Sequence, residues 1–380
     1  FAASGALAQQ ATLTNPYESV DWASYSRYRA DLHVHTIQSD GCHHLDQVVR
    51  IFREAGFSIL SITDHDAVPP NQCVLGEPSP YPNPRPANFP GDTTWPWSAY
   101  GAPSPAELGM LGIEGAELTC TYHINSFFND YGFAPCSAPD KPTANDWLIE
   151  VTRRGGIAVL NHPGGSARAD GLKWVTDLFG NPANDHLVGM ELSGGGASDL
   201  HVALWDQLLG DFMPHRPIWG FGTSDMHLLG QTRFAFTVFL LDDLTEENVK
   251  EAMRTGQFYA VDGPKNVDLS RQRRQDVPPR TEYDGTYPEV RSVVVNRGAA
   301  TISIDASGYD EILWITRAPS AEPSTDAEAA TPWPAARVVQ RGPVLDYAGM
   351  TSPYVRAELI RQSDQGPIRV LLNPFALTRP

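Results

Sequence analysis

The sequence predicts an α/β protein, with a barrel-sized unit of alternating strands and helices followed by a small β-sandwich. Short apolar runs alternate with helical patterns over residues 30–264, as is typical of a largely parallel sheet. About 235 residues of such units is the size of a barrel. From Tyr287 onward, apolar residues are spaced as in strands, with turn residues between them, which favours a sandwich.

The elements of residues 30–264 follow one another in a regular order. Apolar runs predict strands at Asp31–His35, Ile59–Thr63, Gly112–Leu118, Ile157–Asn161, Val188–Leu192 and Ile218–Gly222. Apolar residues at helical spacing predict helices at Leu45–Ala55, Asn145–Arg154, Asp199–Leu209 and Thr245–Thr255. Two segments interrupt the order, Pro-rich Val68–Pro105 and aromatic Tyr122–Pro142, and both are expected to be loops that cover or line a site.

The expected domain organisation has four parts. Residues 1–29 form an N-terminal extension, residues 30–264 the α/β unit, residues 265–285 a polar and Arg-rich linker, and residues 286–380 the β-sandwich. The boundaries follow the change from alternating strands and helices to strands alone.

The N-terminal residues favour export. Residues Phe1–Gln10 are small and apolar, as in the end of a secretory signal with its A-x-A cleavage site, so a periplasmic or secreted protein is expected. In an exported chain, Cys73 and Cys136 are candidates for a disulfide because both lie in Pro-rich sequence. Cys42 and Cys120 are expected to be buried thiols.

The charge of the chain argues against two classes of partner. The chain has 45 acidic and 28 basic side chains and a formal net charge of −17. Binding to nucleic-acid backbones requires a surplus of Lys and Arg, so no nucleic-acid partner is expected. Binding to anionic membranes is disfavoured for the same reason.

Potential metal ligands lie at the ends of the predicted strands. His33 and His35 are two residues apart, so a strand places both imidazoles on one face, where they can bind one ion. The other candidates follow at Asp40, His65, Glu117, His123, His162, Glu191, Asp225 and His227. Because parallel strands bring their carboxyl ends to one edge, these residues together predict a metal site.

The order of these motifs resembles that of a known family. The motifs are Asp31-Leu32-His33-Val34-His35-Thr36 with Ser39-Asp40-Gly41, Thr63-Asp64-His65-Asp66, the Glu117 run, His162-Pro163 and Ser224-Asp225-Met226-His227. Over residues 30–264 the chain resembles the polymerase and histidinol phosphatase (PHP) metal-dependent phosphoesterases. Residues 256–264 and Asn373-Pro374 look like the branch of carbaryl-type carbamate hydrolases, which carries a C-terminal β domain.

The resemblance implies a distorted (β/α)7 barrel with three divalent ions at its carboxyl face. The implied ligand sets are His33, His35, Glu117 and Asp225 for one ion, Glu117, His123 and His162 for a second, and Asp40, His65 and His227 for the third. Glu114 is an alternative to Glu117 as the bridging ligand, and the GAELT context favours Glu117. Imidazole and carboxylate ligands suit Zn, Mn or Fe without selecting among them.

The mechanism implied is hydrolysis by a hydroxide that bridges two ions, while the third ion orients a phosphoryl oxygen. Arg168 is expected to neutralise phosphoryl oxygens, and His201 to donate a proton to the leaving group. Asp64 and Asp66 are expected to hold the ligand imidazoles.

The sequence therefore predicts an enzyme, a trinuclear metal-dependent phosphoesterase acting on small phosphate diesters or monoesters. The first alternative is a hydrolase of carbamate, ester or amide bonds at the same site. The second is a non-catalytic metal-bearing binding module. The leaving group, the native metal and the oligomeric state are left open.

Overall fold

The computed structural model describes most of the chain in seven parts, which are residues 12–66, 73, 105–132, 141–194, 198–264, 286–318 and 336–378. Several predictions lie outside these residues. They concern the signal-like segment Phe1–Gln10, the linker at 265–285, Cys136 and nearly all of the Pro-rich segment.

Strands and helices alternate through the first two thirds of the described chain. The strands there are β1 (Thr12–Thr14), β2 (Ser26–Asp31), β3 (Ile59–Ile62), β4 (Leu111–Leu118), β5 (Ile124–Phe127), β6 (Ile157–Leu160), β7 (Leu187–Glu191), β8 (Trp219–Phe221), β9 (Ala235–Leu241) and β10 (Phe258–Asp262). The helices are α1 (Leu45–Glu54), α2 (Ala144–Arg153), α3 (Gly164–Asp170), α4 (Lys173–Gly180), α5 (Ser198–Phe212) and α6 (Glu246–Thr255). Only strands follow among the described residues: β11 (Glu289–Asn296), β12 (Thr301–Ser307), β13 (Glu311–Arg317), β14 (Ala336–Arg341), β15 (Val344–Asp346), β16 (Tyr354–Arg361), β17 (Ile368–Leu372) and β18 (Phe375–Thr378).

Local sequence explains where the predicted helices begin and which face they bury. The Thr143 side chain accepts a hydrogen bond from the Asp146 amide and caps α2, and Thr245 caps α6 in the same way. Gly256 ends α6 with a φ of 78°, a left-handed conformation that glycine adopts without strain. On α1, Val48 and Phe52 are four residues apart and fully buried, so one face of the helix packs on the sheet.

The strand order places the predicted strand ends at one edge. Strands β2, β3 and β4 are parallel neighbours, as are β6, β7 and β8. Strand β5 lies between the two groups and is antiparallel to both β4 and β6. The expectation that Tyr122–Pro142 is a loop is therefore wrong at Ile124–Phe127, where alternation in the short INSF run was too brief to indicate a strand.

The barrel is not closed by a ladder between β2 and β8. Strands β2 and β8 are linked instead by an isolated parallel bridge between Val34 and Met226, which lie beyond the carboxyl ends of these strands. The His35 amide donates to the Met226 carbonyl at 2.8 Å and the Met226 amide to the His33 carbonyl at 3.3 Å. The segments that follow β2 and β8 are therefore hydrogen-bonded to each other at the edge that carries the candidate ligands.

The C-terminal strands continue the same sheet. Strand β9 pairs with β2 and β10, and β10 pairs with β17, which is followed by β16, β18 and β1. Strands β11, β12 and β15 form a separate sheet whose apolar side chains, including Val290 and Ile302, share one core with Trp314 and Leu359. Two layers therefore pack on this core as in a sandwich, and one of them is continuous with the large sheet that contains β2 to β8.

Buried polar contacts also join the two regions. Asn373 accepts a hydrogen bond from the Gly220 amide at 2.9 Å and donates to the Phe258 carbonyl at 3.0 Å. Arg356 on β16 is 2% exposed and donates two hydrogen bonds to Asp206 on α5, each of 2.8 Å. A buried charge paired in this way requires both regions to fold together.

The cysteine pairing differs from the prediction. Cys42 and Cys73 form a disulfide with their Cα atoms 4.7 Å apart, so Cys73 is not available to Cys136. Cys120 is also disulfide-bonded and is not a thiol. Cys42 and Cys73 lie with Leu228 in one buried cluster, and this tertiary contact could not be predicted from the sequence. Among the described residues, no helix is long and apolar enough to cross a membrane.

Candidate metal centre

The candidate ligands lie where each strand reaches the same edge of the sheet. His33 and His35 follow β2, His65 follows β3, Glu117 is near the end of β4, His162 follows β6, Glu191 ends β7, and Asp225 and His227 follow β8. His123 precedes β5, and because β5 runs antiparallel to its neighbours, its beginning lies beside their ends. The strand pattern therefore brings Glu191 and eight of the nine predicted ligands to one edge, and the ninth, Asp40, lies in the loop between β2 and α1.

The first part of this group is formed by His33, His35, Glu117 and Asp225. His33 Nε2 lies 3.2 Å from Glu117 Oε1 and 3.3 Å from Asp225 Oδ1. His35 Nε2 lies 3.3 Å from the same Asp225 oxygen and 3.4 Å from Glu117 Oε2. The two Nε2 atoms are 3.0 Å apart, so both imidazoles face one point.

Glu117 is at the centre of the group. Its carboxylate is fully buried and lies 2.8 Å from His65 Nδ1, 3.0 Å from His123 Nδ1 and 3.5 Å from His162 Nε2. Glu114, the alternative bridging ligand, is exposed, because residues three apart on a strand face opposite sides of the sheet. Glu117 is therefore the carboxylate positioned to bridge.

The remaining ligands surround Asp40. Asp40 Oδ2 lies 3.5 Å from His65 Nε2, and its Oδ1 lies 3.3 Å from His227 Nε2 and 3.7 Å from His35 Nδ1. Each of these four residues offers an atom within 4.8 Å of the others. Asp40, His65 and His227 were predicted as one set, and the structure adds His35 beside them.

Charge within the group shifts the ionisation of its members. Burial opposes ionisation of Glu117, but the charges of His33, His65 and His123 lower its pKa well below the usual range. Burial, together with neighbouring His227 and His65, lowers the pKa of His35 to about 4. Burial also opposes protonation of His65, yet Glu117 and Asp40 raise its pKa to about 10.

Metal ligation requires neutral imidazoles, so a cation that binds here must displace protons from the histidines whose pKa values are raised. The carboxylates are already ionised at neutral pH, because the pKa of Asp225, like that of Glu117, is lowered well below its usual range. Any cation held by these imidazoles would therefore be bound more tightly as pH rises.

Two of the candidate ligands have a strained backbone. His162 has a φ of 27° and Asp225 a φ of 51°, in the left-handed region that residues other than glycine seldom adopt. Such conformations persist only where the surrounding structure holds them, and they cluster at functional sites. The strain thus agrees with a role for both residues beyond stability.

Glu191 contacts two of the candidate ligands, a role that the sequence did not predict. It is fully buried, and its Oε1 lies 2.7 Å from His33 Nδ1. Its Oε2 accepts a hydrogen bond from the His162 amide at 2.9 Å. A carboxylate on Nδ1 orients the imidazole so that Nε2 faces the site. The only sequence signal was a carboxylate at a strand end.

Asp64 and Asp66 hold backbone loops, and the expectation that they hold imidazoles is wrong. Asp64 accepts hydrogen bonds from the Thr36 amide at 2.8 Å, the Thr36 hydroxyl at 2.6 Å and the Ser39 hydroxyl at 2.6 Å. Asp66 accepts from the amide and hydroxyl of Thr119, and burial raises its pKa to about 6. These hydrogen bonds come from loop amides and hydroxyls and not from an imidazole.

His201 cannot serve as the predicted proton donor in this arrangement. It is 1% exposed, its Nδ1 accepts from the Gly164 amide, and its Nε2 donates to the Gly194 carbonyl, both at 2.9 Å. Arg168 lies on α3 and is exposed, without a hydrogen bond or ion pair to any other described residue. Its predicted contact with phosphoryl oxygens stays a prediction.

Comparisons with known proteins give similarities in structure only. No protein-family model and no curated protein matches the chain. A two-domain protein from Bacteroides vulgatus, described as containing a predicted PHP-like metal-dependent phosphoesterase, is 19% identical, with a TM-score of 0.47 over 96% of this chain and 99% of that chain. A putative metal-dependent phosphoesterase from Bifidobacterium adolescentis is 16% identical, with a TM-score of 0.33 over 60% of this chain and 96% of that chain.

A lesion-specific endonuclease from Pyrococcus furiosus is also similar, at 12% identity, with a TM-score of 0.36 over 60% of this chain and 56% of that chain. None of these three proteins is described as a carbamate hydrolase. The exclusion of nucleic acid from net charge alone stays a prediction.

Proposed function

We propose that the chain is a metal-dependent hydrolase of small phosphate esters. The observation that carries the proposal is the convergence of buried imidazoles and ionised carboxylates from successive strand ends around Glu117. So many buried titratable groups in contact are costly for stability, and such costs are typical of functional sites.

The donor set fits divalent cations. Glu117 Oε2 and His65 Nδ1 are buried without a hydrogen-bond partner, although they lie 2.8 Å apart, so both have lone-pair capacity for an ion. The facing Nε2 atoms of His33 and His35 likewise require a shared proton or a cation between them. Mixed imidazole and carboxylate donors suit Zn, Mn or Fe.

The proposed ligands divide among three ions as the resemblance to the PHP phosphoesterases implies. His33, His35, Glu117 and Asp225 would hold one ion, Glu117, His123 and His162 a second, and Asp40, His65 and His227 a third. When bound, such cations supply Lewis acidity and lower the pKa of water to near neutrality. Glu191 fixes the His33 ring, and Asp64 fixes the loop that carries Asp40.

The charge of the protein favours a small substrate. A chain with a net charge of −17 repels extended polyanions, whereas a compact phosphate ester can approach a site where cations offset the carboxylates. Small phosphate monoesters and diesters are the proposed substrates for this reason.

A substrate panel tests the proposal. Metal-free protein, with and without Mn, Zn or Fe(II), is incubated with aryl phosphate monoesters and diesters, aryl carbamates, aryl acetates and a single-stranded DNA oligonucleotide. We expect turnover of the aryl phosphates only after metal is added. His33→Ala should abolish turnover with the fold intact, whereas Glu114→Gln, on the same strand as Glu117 but exposed, should retain it.

Other outcomes contradict the proposal in distinct ways. Turnover of carbamates alone would show the first alternative, a hydrolase of carboxyl-type bonds. Cleavage of the oligonucleotide in preference to aryl phosphates would overturn the proposed small substrate. Metal binding without turnover of any substrate would show a binding module.

We also propose that the protein is exported to the periplasm or secreted. Disulfides persist in oxidising compartments, and the Cys42–Cys73 disulfide supports this location. Thiol titration of the protein isolated from its native cells under alkylating conditions should find Cys42 and Cys73 oxidised. Free thiols at both positions would contradict the proposal.

A further inference from the structure

His201 lies between two loops, one that leads from His162 into α3 and one that follows Glu191 at the end of β7. It is near the start of α5, and its ring is 1% exposed. The Gly164 amide donates to Nδ1, so Nδ1 carries no proton, and Nε2 donates its proton to the Gly194 carbonyl. Both ring nitrogens are thus bound to backbone groups, and the contacts specify the neutral tautomer with its proton on Nε2.

The two backbone partners of His201 are glycines at positions of close approach. A Cβ atom on Gly164 would lie 2.6 Å from His201 Nδ1 and 2.9 Å from the His201 amide nitrogen. A Cβ atom on Gly194 would lie 2.5 Å from Glu191 Oε2. These separations are shorter than van der Waals contact, so both loops reach the ring and the carboxylate only because glycine stands at each position.

These loops lead directly to residues of the metal centre. Gly164 comes two residues after His162, whose backbone is strained at a φ of 27°. Gly194 comes three residues after Glu191, which contacts both the His162 amide and the His33 ring. A change in the separation of Gly164 and Gly194 therefore moves His162 relative to Glu191 and His33.

We propose that His201 is a positioning residue that fixes the spacing of the two loops and thereby the His33, His162 and Glu191 group. Its imidazole stays neutral and transfers no proton to or from a substrate. The part of this inference that concerns turnover rests on the proposed function, whereas the part that concerns cation binding does not.

Graded substitutions separate the two hydrogen bonds of the ring. In His201→Asn the amide oxygen replaces Nδ1 as the acceptor for Gly164, and in His201→Gln the amide nitrogen replaces Nε2 as the donor to Gly194. His201→Phe keeps the ring but neither hydrogen bond. Leu204→Ala is the matched control, because Leu204 is fully buried on the same helix and packs in an apolar cluster.

The first measurement is calorimetric titration of metal-free protein with Mn²⁺, alongside thermal unfolding. We expect His201→Phe to weaken Mn²⁺ binding by about 10- to 100-fold, as is usual for groups that orient metal ligands, and the Asn and Gln variants to weaken it less. Leu204→Ala should lower the Tm without changing Mn²⁺ affinity. Wild-type affinity in His201→Phe, or an equal loss in Leu204→Ala, would overturn the proposal.

The second measurement is the pH profile of aryl phosphate turnover at saturating Mn²⁺. A positioning role predicts that His201→Gln keeps the wild-type shape of the profile and regains rate as Mn²⁺ is raised. Loss of the alkaline limb of the pH profile in His201→Gln would show that His201 donates a proton, and it would overturn the proposal. If the wild-type protein turns over no substrate, the proposed function fails, and the Mn²⁺ titration still decides the role of His201.

Discussion

Substitution of Glu191 by Gln removes one negative charge from the site and keeps the size of the side chain. Glu191 accepts from two donors, the His33 ring at 2.7 Å and the His162 amide at 2.9 Å. An amide has only one acceptor oxygen, so its NH₂ group must face one of these donors. The fully buried position offers no water to relieve that conflict.

The magnitude follows from the contacts that are lost. A hydrogen bond to a buried charged group contributes about 1.5–3 kcal/mol. Since about 1.4 kcal/mol corresponds to a factor of ten in an equilibrium constant, the loss of one such bond corresponds to about a 10- to 100-fold change in cation affinity. We therefore expect Glu191→Gln to bind Mn²⁺ about 10- to 100-fold more weakly than wild type.

Calorimetric titration of metal-free protein with Mn²⁺ measures this change. Glu358→Gln is the matched control, because Glu358 is also buried and paired, here with Arg356, but contacts none of the proposed ligands. The control should keep wild-type Mn²⁺ affinity. Equal affinities of Glu191→Gln and wild type would refute the role of Glu191 in orienting His33 and His162.

Three further predictions concern groups around the site and in the core. Asp64→Asn should weaken Mn²⁺ binding about tenfold in the same titration, because an amide cannot accept from the amide and hydroxyls of the Asp40 loop together; unchanged affinity would contradict this. Burial lowers the pKa of His43 from 6.5 to about 4, so between these pH values the unfolded chain binds a proton that the folded state excludes, and stability falls by up to about 3 kcal/mol as pH falls from 6.5 to 4. His43→Gln should reduce this fall in the free energy of unfolding, measured by urea unfolding between pH 6.5 and 4. The same pH dependence in wild type and variant would contradict the prediction. Asp206→Asn should lower the free energy of unfolding by about 3 kcal/mol by leaving Arg356 partly unpaired, and a loss below about 1 kcal/mol would contradict that pairing.

The ligand positions were predictable because their geometry follows from local pattern. A strand places His33 and His35 on one face, and parallel strands bring their carboxyl ends to one edge. These rules predict that the residues at the strand ends lie close together, whereas the central position of Glu117 was implied only by the resemblance to the PHP phosphoesterases. The exposure of Glu114 follows equally from strand alternation.

The roles of the supporting residues depend on tertiary contacts and could not be predicted in this way. His201 follows a helical pattern, yet its function is set by two glycine backbones that reach it from other loops. The role of Glu191 could not be predicted without knowing that the His33 ring lies against it. The pairing of Cys42 with Cys73 and of β10 with β17 likewise arises from long-range packing without a local signal.

The most direct test of the central claim is the metal content of the protein. Metal-free protein is reconstituted with Mn²⁺ or Zn²⁺, freed of unbound ions and analysed by inductively coupled plasma mass spectrometry, beside Glu117→Gln and the exposed control Glu114→Gln. We predict between two and three ions per chain for wild type and Glu114→Gln, and fewer for Glu117→Gln. Fewer than one ion per wild-type chain, or the same content in Glu117→Gln, would contradict a metal centre built around Glu117.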